Sequence, residues 1–395
     1  MVDGPQVLTD LAAVEQLLPD WRALAATSAR SALEAPDWQL PLAHRYLTRY
    51  GIRFLAWREG GQLVGVAPLS LIADRPPIRP VRQLAWWGSI GPRMRGLSDV
   101  LATEGARDAV LDSLCEWLRA DSGWDVLRVL RPQFQSPTPG RLEIEANAAG
   151  WAYADYANLR STTYQVDLPD SDEGWQKHLG SKARKVMRWE MRKFAERGGT
   201  VEAAVANDQL GGALDACERL LRERWGAGEV YFARDAAFRG LLHESIPRLA
   251  ANGDAWLTVA RDDNGIQGVL VSVKQNRFAM ALMVAMTTDA VYRPFSLGKH
   301  LFDVGLAEAV RRGCANYDFL WVGGYKESFW HATPRLLESA FVGRGFIGKR
   351  VARAWARREA GPLDGGADTT TESAATDEPA ATADSLSAST GESTR

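Results

Sequence analysis

At 395 residues with 46% apolar composition, the chain can bury a large core and is long enough for two domains. The formal net charge is -2, yet seven acids and one base fall between Gly361 and Arg395. The remainder is therefore net positive by about four, too mild a bias for a nucleic-acid footprint.

No segment approaches the roughly 20 apolar residues of a membrane helix, so no integral membrane segment is expected. The N-terminus carries acids and lacks a continuous apolar core, which argues against a secretory signal and for a cytoplasmic location. Cys115, Cys217 and Cys314 are dispersed, odd in number and without metal-type spacing, so reduced, buried thiols and no metal are expected.

From about Asp10 to Tyr50 the apolar spacing predicts helices, with Leu11, Val14, Leu17 and Leu18 on one stripe and a break near Pro36. Ile52 to Arg58 and Gln62 to Ile72 flank a Glu59-Gly60-Gly61 turn and read as a hairpin. Val81 to Trp87 is a third strand, followed by a Gly-rich loop. Ala106 to Leu118 is a helix after a Thr103 cap, and Trp124 to Leu130 is another strand.

A basic helix follows from Ser181. Arg184, Arg188 and Arg192 share one side, while Met187, Met191 and Phe194 form an apolar stripe. The pattern fits a solvated face first, with a surface for an anionic substrate or a nucleotide phosphate as the sharper reading. The earlier order then recurs: a hairpin around Asp263-Asn264-Gly265, a nine-residue apolar strand from Phe278 to Met286, a loop, a helix from Leu297 to about Arg312 and a strand from Tyr317 to Val322. We read this as an internal duplication in which WDVLRVL, with Asp125, matches YDFLWVG, with Asp318.

Gly298 and Lys299 stand at the first turn of a helix, where free N–H groups and the helix dipole favour an anion; an ordinary helix start has the same pattern. Phe341 to Ala360 reads as a final amphipathic helix with Phe346, Ile347, Val351 and Trp355 on its apolar side, suited to packing or to a membrane surface. Beyond it, residues 361–395 have almost no large apolar side chain and are expected to be disordered.

Gly298 before a helix, then Tyr317-Asp318-Phe319-Leu320, Gly324 and Tyr325-Lys326, with the basic helix and Arg224-Trp225 ahead of them, resemble the CelD-like branch of the GNAT acyltransferase superfamily. Gly65, Pro68-Leu69, Asp99 and Trp124-Asp125 are similar to its N-terminal pattern, so the resemblance covers roughly Val7 to Ala360. It implies an α/β fold of tandem GNAT-like acyltransferase domains, each a mixed, mostly antiparallel sheet flanked by helices. The N-terminal domain would span residues 1–165 and the acyl-CoA-binding one residues 166–360.

The resemblance further implies acetyl-CoA or another acyl-CoA as donor, without a metal. Its pantetheine would lie along the Phe278–Met286 strand at Met283 and Val284, and its pyrophosphate at Arg293, Ser296, Leu297, Gly298 and Lys299. The family's usual loop has an Arg or Gln and two spaced glycines; here Arg293 is present, but Ser296 and Leu297 leave only Gly298. The implied acceptor is a small amine or amino sugar of envelope or exopolysaccharide metabolism, not DNA, met by Arg184, Arg188, Arg224, Trp225 and Lys326.

Attack of an amine on a thioester needs a neutral nucleophile, a polarised carbonyl and a proton for the departing thiolate. Tyr325 is the expected acid, since a phenol of ordinary pKa about 10 is protonated at neutral pH. Asp318 is available as base or as a strand brace, and its counterpart Asp125 in the first copy favours the brace. Pro132 and Gln133 stand opposite Tyr325 and Lys326, so the second copy is the expected catalytic half. The histidines, His300 among them, have no partner at a recognisable spacing.

Two alternatives share the pattern. One is a Fem-type aminoacyl transferase using aminoacyl-tRNA. The other is a catalytically degenerate scaffold for polysaccharide synthesis, with tryptophans as sugar-stacking surfaces.

Overall fold

The duplicated order is present as two sheets, and the first sheet is completed by a strand from the end of the second series. The computed structural model describes residues 2–74, 81–90, 99–130, 135–158, 161–229, 235–319 and 325–361. The expected disordered tail, apart from Gly361, lies outside them.

In chain order, β1 (Gln6–Leu8) leads into α1 (Leu11–Glu15), α2 (Leu18–Ser28) and α3 (Pro36–Tyr46), then β2 (Gly51–Glu59), β3 (Gln62–Asp74) and β4 (Val81–Trp86). The first series closes with β5 (Leu101–Ala102), α4 (Arg107–Ala120), β6 (Val126–Val129), α5 (Thr138–Ala148) and β7 (Ala152–Tyr156). The second opens with β8 (Thr162–Asp167), α6 (Asp172–His178), α7 (Ser181–Ala195), β9 (Thr200–Glu202), α8 (Leu210–Glu229) and α9 (Ala236–Ala251). It continues through β10 (Ala255–Asp262), β11 (Gly265–Gln275), β12 (Phe278–Met286), α10 (Leu297–Arg311) and β13 (Asn316–Asp318). Last come α11 (Tyr325–Trp330), β14 (Thr333–Leu336), β15 (Ser339–Gly343) and α12 (Gly345–Glu359).

The first sheet runs β1-β2-β3-β4-β6-β15-β7, with β5 on β3, and the second runs β14-β8-β13-β12-β11-β10-β9. Strand β8 follows β7 in the chain but lies between β13 and β14; β15 follows β14 but lies between β6 and β7. A cut at residue 165 therefore passes through β8, inside the second sheet. Both sheets belong to one compact unit. The pairing is mostly antiparallel, with parallel contacts only at β4–β6 and β12–β13 among the described residues.

The break near Pro36 is present: α2 ends at Ser28 and Pro36 begins α3, because a proline fits the first turn, where its missing N–H has no acceptor. Two local expectations need correction. The segment expected to be helical from Phe341 is strand β15 up to Gly343, buried along its whole length. A short apolar run has no period that separates a buried strand from a helix. In α12, Phe346 and Ile347 are 74% and 37% exposed, and the helix packs on the sheet through Ala352 and Ala356, flanked by Val351 and Trp355.

The largest core cluster joins the two series. Trp21, Phe54 and Trp87 meet edge-on or tilted, with centroids 5.0–6.4 Å apart. Leu214 of α8, Phe238 of α9 and Met280 of β12 belong to the same cluster. Polar contacts fix this junction: Ser31 Oγ donates to Met280 Sδ (3.3 Å), Asn276 Nδ2 to the Ala29 carbonyl (2.7 Å) and Tyr46 Oη to Asp235 (2.8 Å). The face of the second sheet that carries α8 and α9 is thus turned toward the first series. Eight tryptophans, Trp86 and Trp87 among them, are under 2% exposed and serve as core.

The cysteines are buried as expected, and burial raises their pKa values, to about 11 for Cys115 and Cys314 and about 12 for Cys217. Because the thiolate is the nucleophile, an aromatic disulfide reagent should titrate none of them in the native protein within minutes and all three after denaturation.

Candidate functional site

The parallel pairing of β12 with β13 lasts three residues, from Phe278 opposite Asn316 to Met280 opposite Asp318. From Ala281 to Met286, β12 pairs only with β11 among the described residues. A bulge interrupts that pairing. Met283 pairs with Val271 and Ala281 with Ser272, leaving Leu282 as the extra residue. Leu282 and Met283 consequently both face the α8 and α9 side, while Val284 faces α10.

The two candidate donor residues of β12 therefore point to opposite faces. Met283 borders a small pocket walled by α8 and α9, where Glu218, Arg239 and His243 supply polar groups. Arg239 lies 3.6 Å from Glu218, and His243 lies 3.3 Å from Asp215. Arg224, half-buried on α8, belongs to this face and is separated by the sheet from α10. The side chain of Trp225 lies outside the described residues.

On the other face, an exposed Arg293 lies in the short 3-10 helix Ala290–Phe295, which ends at Ser296 in the left-handed conformation (φ 44°, ψ 46°). Leu297 begins α10 and is buried. At Gly298 a β-carbon would come within 2.6 Å of Met286 Sδ, so this glycine lets the start of α10 close on the end of β12. Lys299 places Nζ 5.1 Å from the Phe329 ring centre.

Helix α7 packs against this turn. Phe194 lies 5.5 Å from Phe295 and 6.5 Å from Tyr292, centre to centre. Between Met187 and Phe194 on its buried stripe stands a carboxylate, Glu190, 8% exposed. It accepts from Ser296 Oγ at 2.9 Å and lies 3.2 Å from Nε2 of the buried His300. Burial pushes the Glu190 carboxyl up, but the bonds from His300 and Ser296 outweigh it and hold the group below its ordinary value.

The basic helix and the Gly298-Lys299 turn, separate in the sequence, are thus brought together. Arg184 donates through Nη1 to the Gln176 carbonyl (2.9 Å), and Arg188 through Nε to the Arg184 carbonyl (3.3 Å); Arg188 and Arg192 are exposed. Glu190 was not anticipated. Its signal was a carboxylate inside an apolar helical stripe, and its partner His300 lies 110 residues away. A nucleophilic triad would need the imidazole between the other two groups, whereas here the carboxylate is in the middle.

Where β13 ends, Asp318 is 2% exposed and accepts from Thr163 Oγ1 and from Gln165 Nε2 (3.0 Å), both on strand β8. Asp125, its sequence counterpart, precedes β6 and is held instead by the Arg82 backbone N–H and guanidinium. Lys326 is also 2% exposed; Nζ donates to the Phe319 carbonyl (3.1 Å) and sits 5.2–5.3 Å from the rings of Phe319 and Phe302. It is a buried cation under aromatic faces, not a surface lysine. Tyr325 opens α11; its side chain, like Leu320 and Gly324, lies outside the described residues, as do Pro132 and Gln133.

Residues 181–329 match the acetyltransferase (GNAT) domain family. This stretch spans the basic helix, the β12–β13 pair and the α10 turn, and the fold is that of a GNAT-like acyltransferase. No curated protein matches the chain by sequence. Among solved structures, the chain is similar to FemX, at 14% identity and a TM-score of 0.57 over 82% of this chain and 95% of that one. It is also similar to the C-terminal domain (DUF2156) of a putative lysylphosphatidylglycerol synthetase from Agrobacterium fabrum, at 11% identity and a TM-score of 0.50 over 87% and 96% of the two chains. At such identities the likeness concerns the fold. No helix among the described residues is long and apolar enough to cross a membrane.

Proposed function

We propose that the protein is an acyl-CoA-dependent N-acyltransferase that moves an acetyl or other acyl group to an amine on a sugar- or envelope-related acceptor. The observation that carries this reading is the close approach of the start of α10 to the end of β12 at Gly298, in a stretch that matches a GNAT domain. The pantetheine would lie along β12 at Met283 and Val284, with backbone N–H groups polarising the thioester carbonyl. Arg293, Ser296, Leu297, Gly298 and Lys299 would receive the pyrophosphate, with the N–H groups of Leu297 and Gly298 at the start of α10 having no acceptor inside the helix. Arg184 and Arg188 add positive charge from the neighbouring helix.

The acceptor amine would approach from the α8 and α9 face, where Glu218, Arg239 and His243 border the Met283 pocket and Arg224-Trp225 lie on α8. The amine attacks the thioester carbon, the C–S bond breaks, Tyr325 protonates the departing sulfur, and the proton shed by the amine nitrogen restores the Tyr325 phenol through solvent. Lys326, close behind Tyr325 in α11, contributes a buried positive charge to that end of the site. Asp318 is read as a brace for β8.

Calorimetry with CoA and acetyl-CoA tests the donor. Binding at or below millimolar concentration is expected, weakened at least about tenfold, roughly 1.4 kcal/mol, by Gly298→Asp with Lys299→Ala, which places a carboxylate and removes a cation at the helix start. No binding, or binding that the double variant leaves unchanged, would sink the assignment.

A second donor reading, an aminoacyl-tRNA, is favoured by the FemX likeness, which extends over both sheets. Transfer assays with charged tRNA against acetyl-CoA separate the two.

A further inference from the structure

We propose that Glu190 is the positioning residue of the donor turn: by gripping Ser296 and His300 it holds a serine in a backbone conformation that a glycine would adopt unaided. This rests on the donor reading above, and its test is built to fail separately from it.

Ser296 has φ 44° and ψ 46°, the left-handed region where a β-carbon crowds the following carbonyl. It falls in the Arg293-to-Gly298 turn, which has glycine only at its last position. Backbone bonds alone do not select this conformation over a continuous helix. The Ser296 N–H donates to Arg293 O (3.3 Å), and its carbonyl accepts from Lys299 N (2.8 Å), contacts of an ordinary helix start.

The side-chain contacts are specific to this turn. Ser296 Oγ donates to Glu190 Oε1 at 2.9 Å, and the other carboxylate oxygen lies 3.2 Å from His300 Nε2. Residues 296 and 300 are four apart, one helical turn, so a single carboxylate ties both ends of the first turn of α10 to α7. Phe194, one turn further along α7, packs on Phe295 and Tyr292 and supports the same turn from beside it. A carboxylate buried in an apolar stripe is costly unless hydrogen-bonded. If α7 needed only to pack, an apolar side chain at position 190 would serve as well.

The orientation of the free N–H groups at the start of α10 depends on the dihedral angles of Ser296. A turn released from Glu190 would relax toward a right-handed serine and re-aim them, so the grip should appear in donor affinity and in amide exchange.

The experiment compares wild type, Glu190→Ala, Ser296→Gly and the double variant by CoA calorimetry and by amide hydrogen exchange over residues 293–300. Glu190→Ala is expected to weaken CoA binding about tenfold and to speed exchange at the turn by a similar factor. Ser296→Gly sets the reference level for the double variant, because glycine takes the left-handed conformation freely and needs no grip from Glu190. The double variant should return to within about threefold of Ser296→Gly.

Wild-type affinity and exchange in Glu190→Ala, or a double variant as impaired as Glu190→Ala, would overturn the proposal. If wild type binds no CoA while exchange still shows loss and rescue, the donor reading fails and the grip stands. Should Glu190→Ala fail to fold, Glu190→Gln takes its place. One amide oxygen serves one of the two partners, and an intermediate loss, again rescued by Ser296→Gly, is expected; wild-type behaviour would count against the grip.

Discussion

Replacing Gly348 by alanine is expected to destabilise the protein by about 3 kcal/mol or more, although alanine is the better helix former by about 1 kcal/mol. A β-carbon at position 348 would lie 2.2 Å from the Asp125 carbonyl oxygen. One at Gly343 would lie 2.2 Å from the Gly348 carbonyl oxygen and 2.5 Å from its carbon. Backbone meets backbone at both places, so no flexible side chain can turn away. This is where the start of α12 crosses β15, the strand inserted between β6 and β7.

Arg344 fastens the same corner. Its N–H donates to the Asp125 carbonyl (3.0 Å), its guanidinium to the Asp121 carbonyl, and its charge lies 5.2 Å from the Trp124 ring centre. An added methyl group would push β15 out of the first sheet or α12 off it. Urea unfolding of Gly348→Ala and Gly343→Ala, with Gly140→Ala as control, checks this. No atom lies within 4 Å of a β-carbon at 140, so that change should be neutral or slightly stabilising. A Gly348→Ala protein as stable as wild type would remove this corner as the lock of the exchanged strand.

Much of the second sheet was legible because its strands are bounded by chemistry. Phe278 to Met286 was delimited by polar neighbours on both sides and is β12 with those bounds. The β10–β11 hairpin was marked by Asp263-Asn264-Gly265, where Gly265 has φ 97°. The placement of β8 and β15 was not legible. Each is a short strand that could pair in either of two similar sheets, and alternation fixes which face is buried without naming the neighbour. The choice is made by contacts far apart in sequence, such as Thr163 with Asp318 and Gly348 with Asp125.

The site divides in the same way. Gly298 and Lys299 could be read from local helix chemistry, because a helix start announces itself over a few residues. The link from Glu190 to Ser296 and His300 could not, since spacing rules reach one or two helical turns and this pair spans 110 residues. The burial of Lys326 could not be read either, because the aromatic residues over it, Phe302 and Phe319, come from other elements.

Asp318 offers the second large effect, and its two substitutions separate a brace from a base. Asp318→Ala orphans the Thr163 hydroxyl and the Gln165 amide; at about 1–3 kcal/mol for each donor left unsatisfied, a loss of about 3 kcal/mol is expected. Asp318→Asn should cost far less. Its carbonyl oxygen can still accept from Gln165, and its amide can donate to the Thr163 oxygen, since a hydroxyl both gives and takes.

If Asp318 only ties β8 to β13, transferase turnover of the asparagine variant, measured well below its melting temperature, should stay within about threefold of wild type. General-base chemistry would instead be worth roughly 100-fold or more with stability unchanged. Thr163→Val completes the test. A brace predicts that its effect is coupled to that of Asp318→Ala, the double variant losing less than the sum of the single losses, because each single change already breaks the shared bond. Additive losses together with a collapse of turnover in Asp318→Asn would return Asp318 to the chemistry and leave β8 held by its backbone ladder alone.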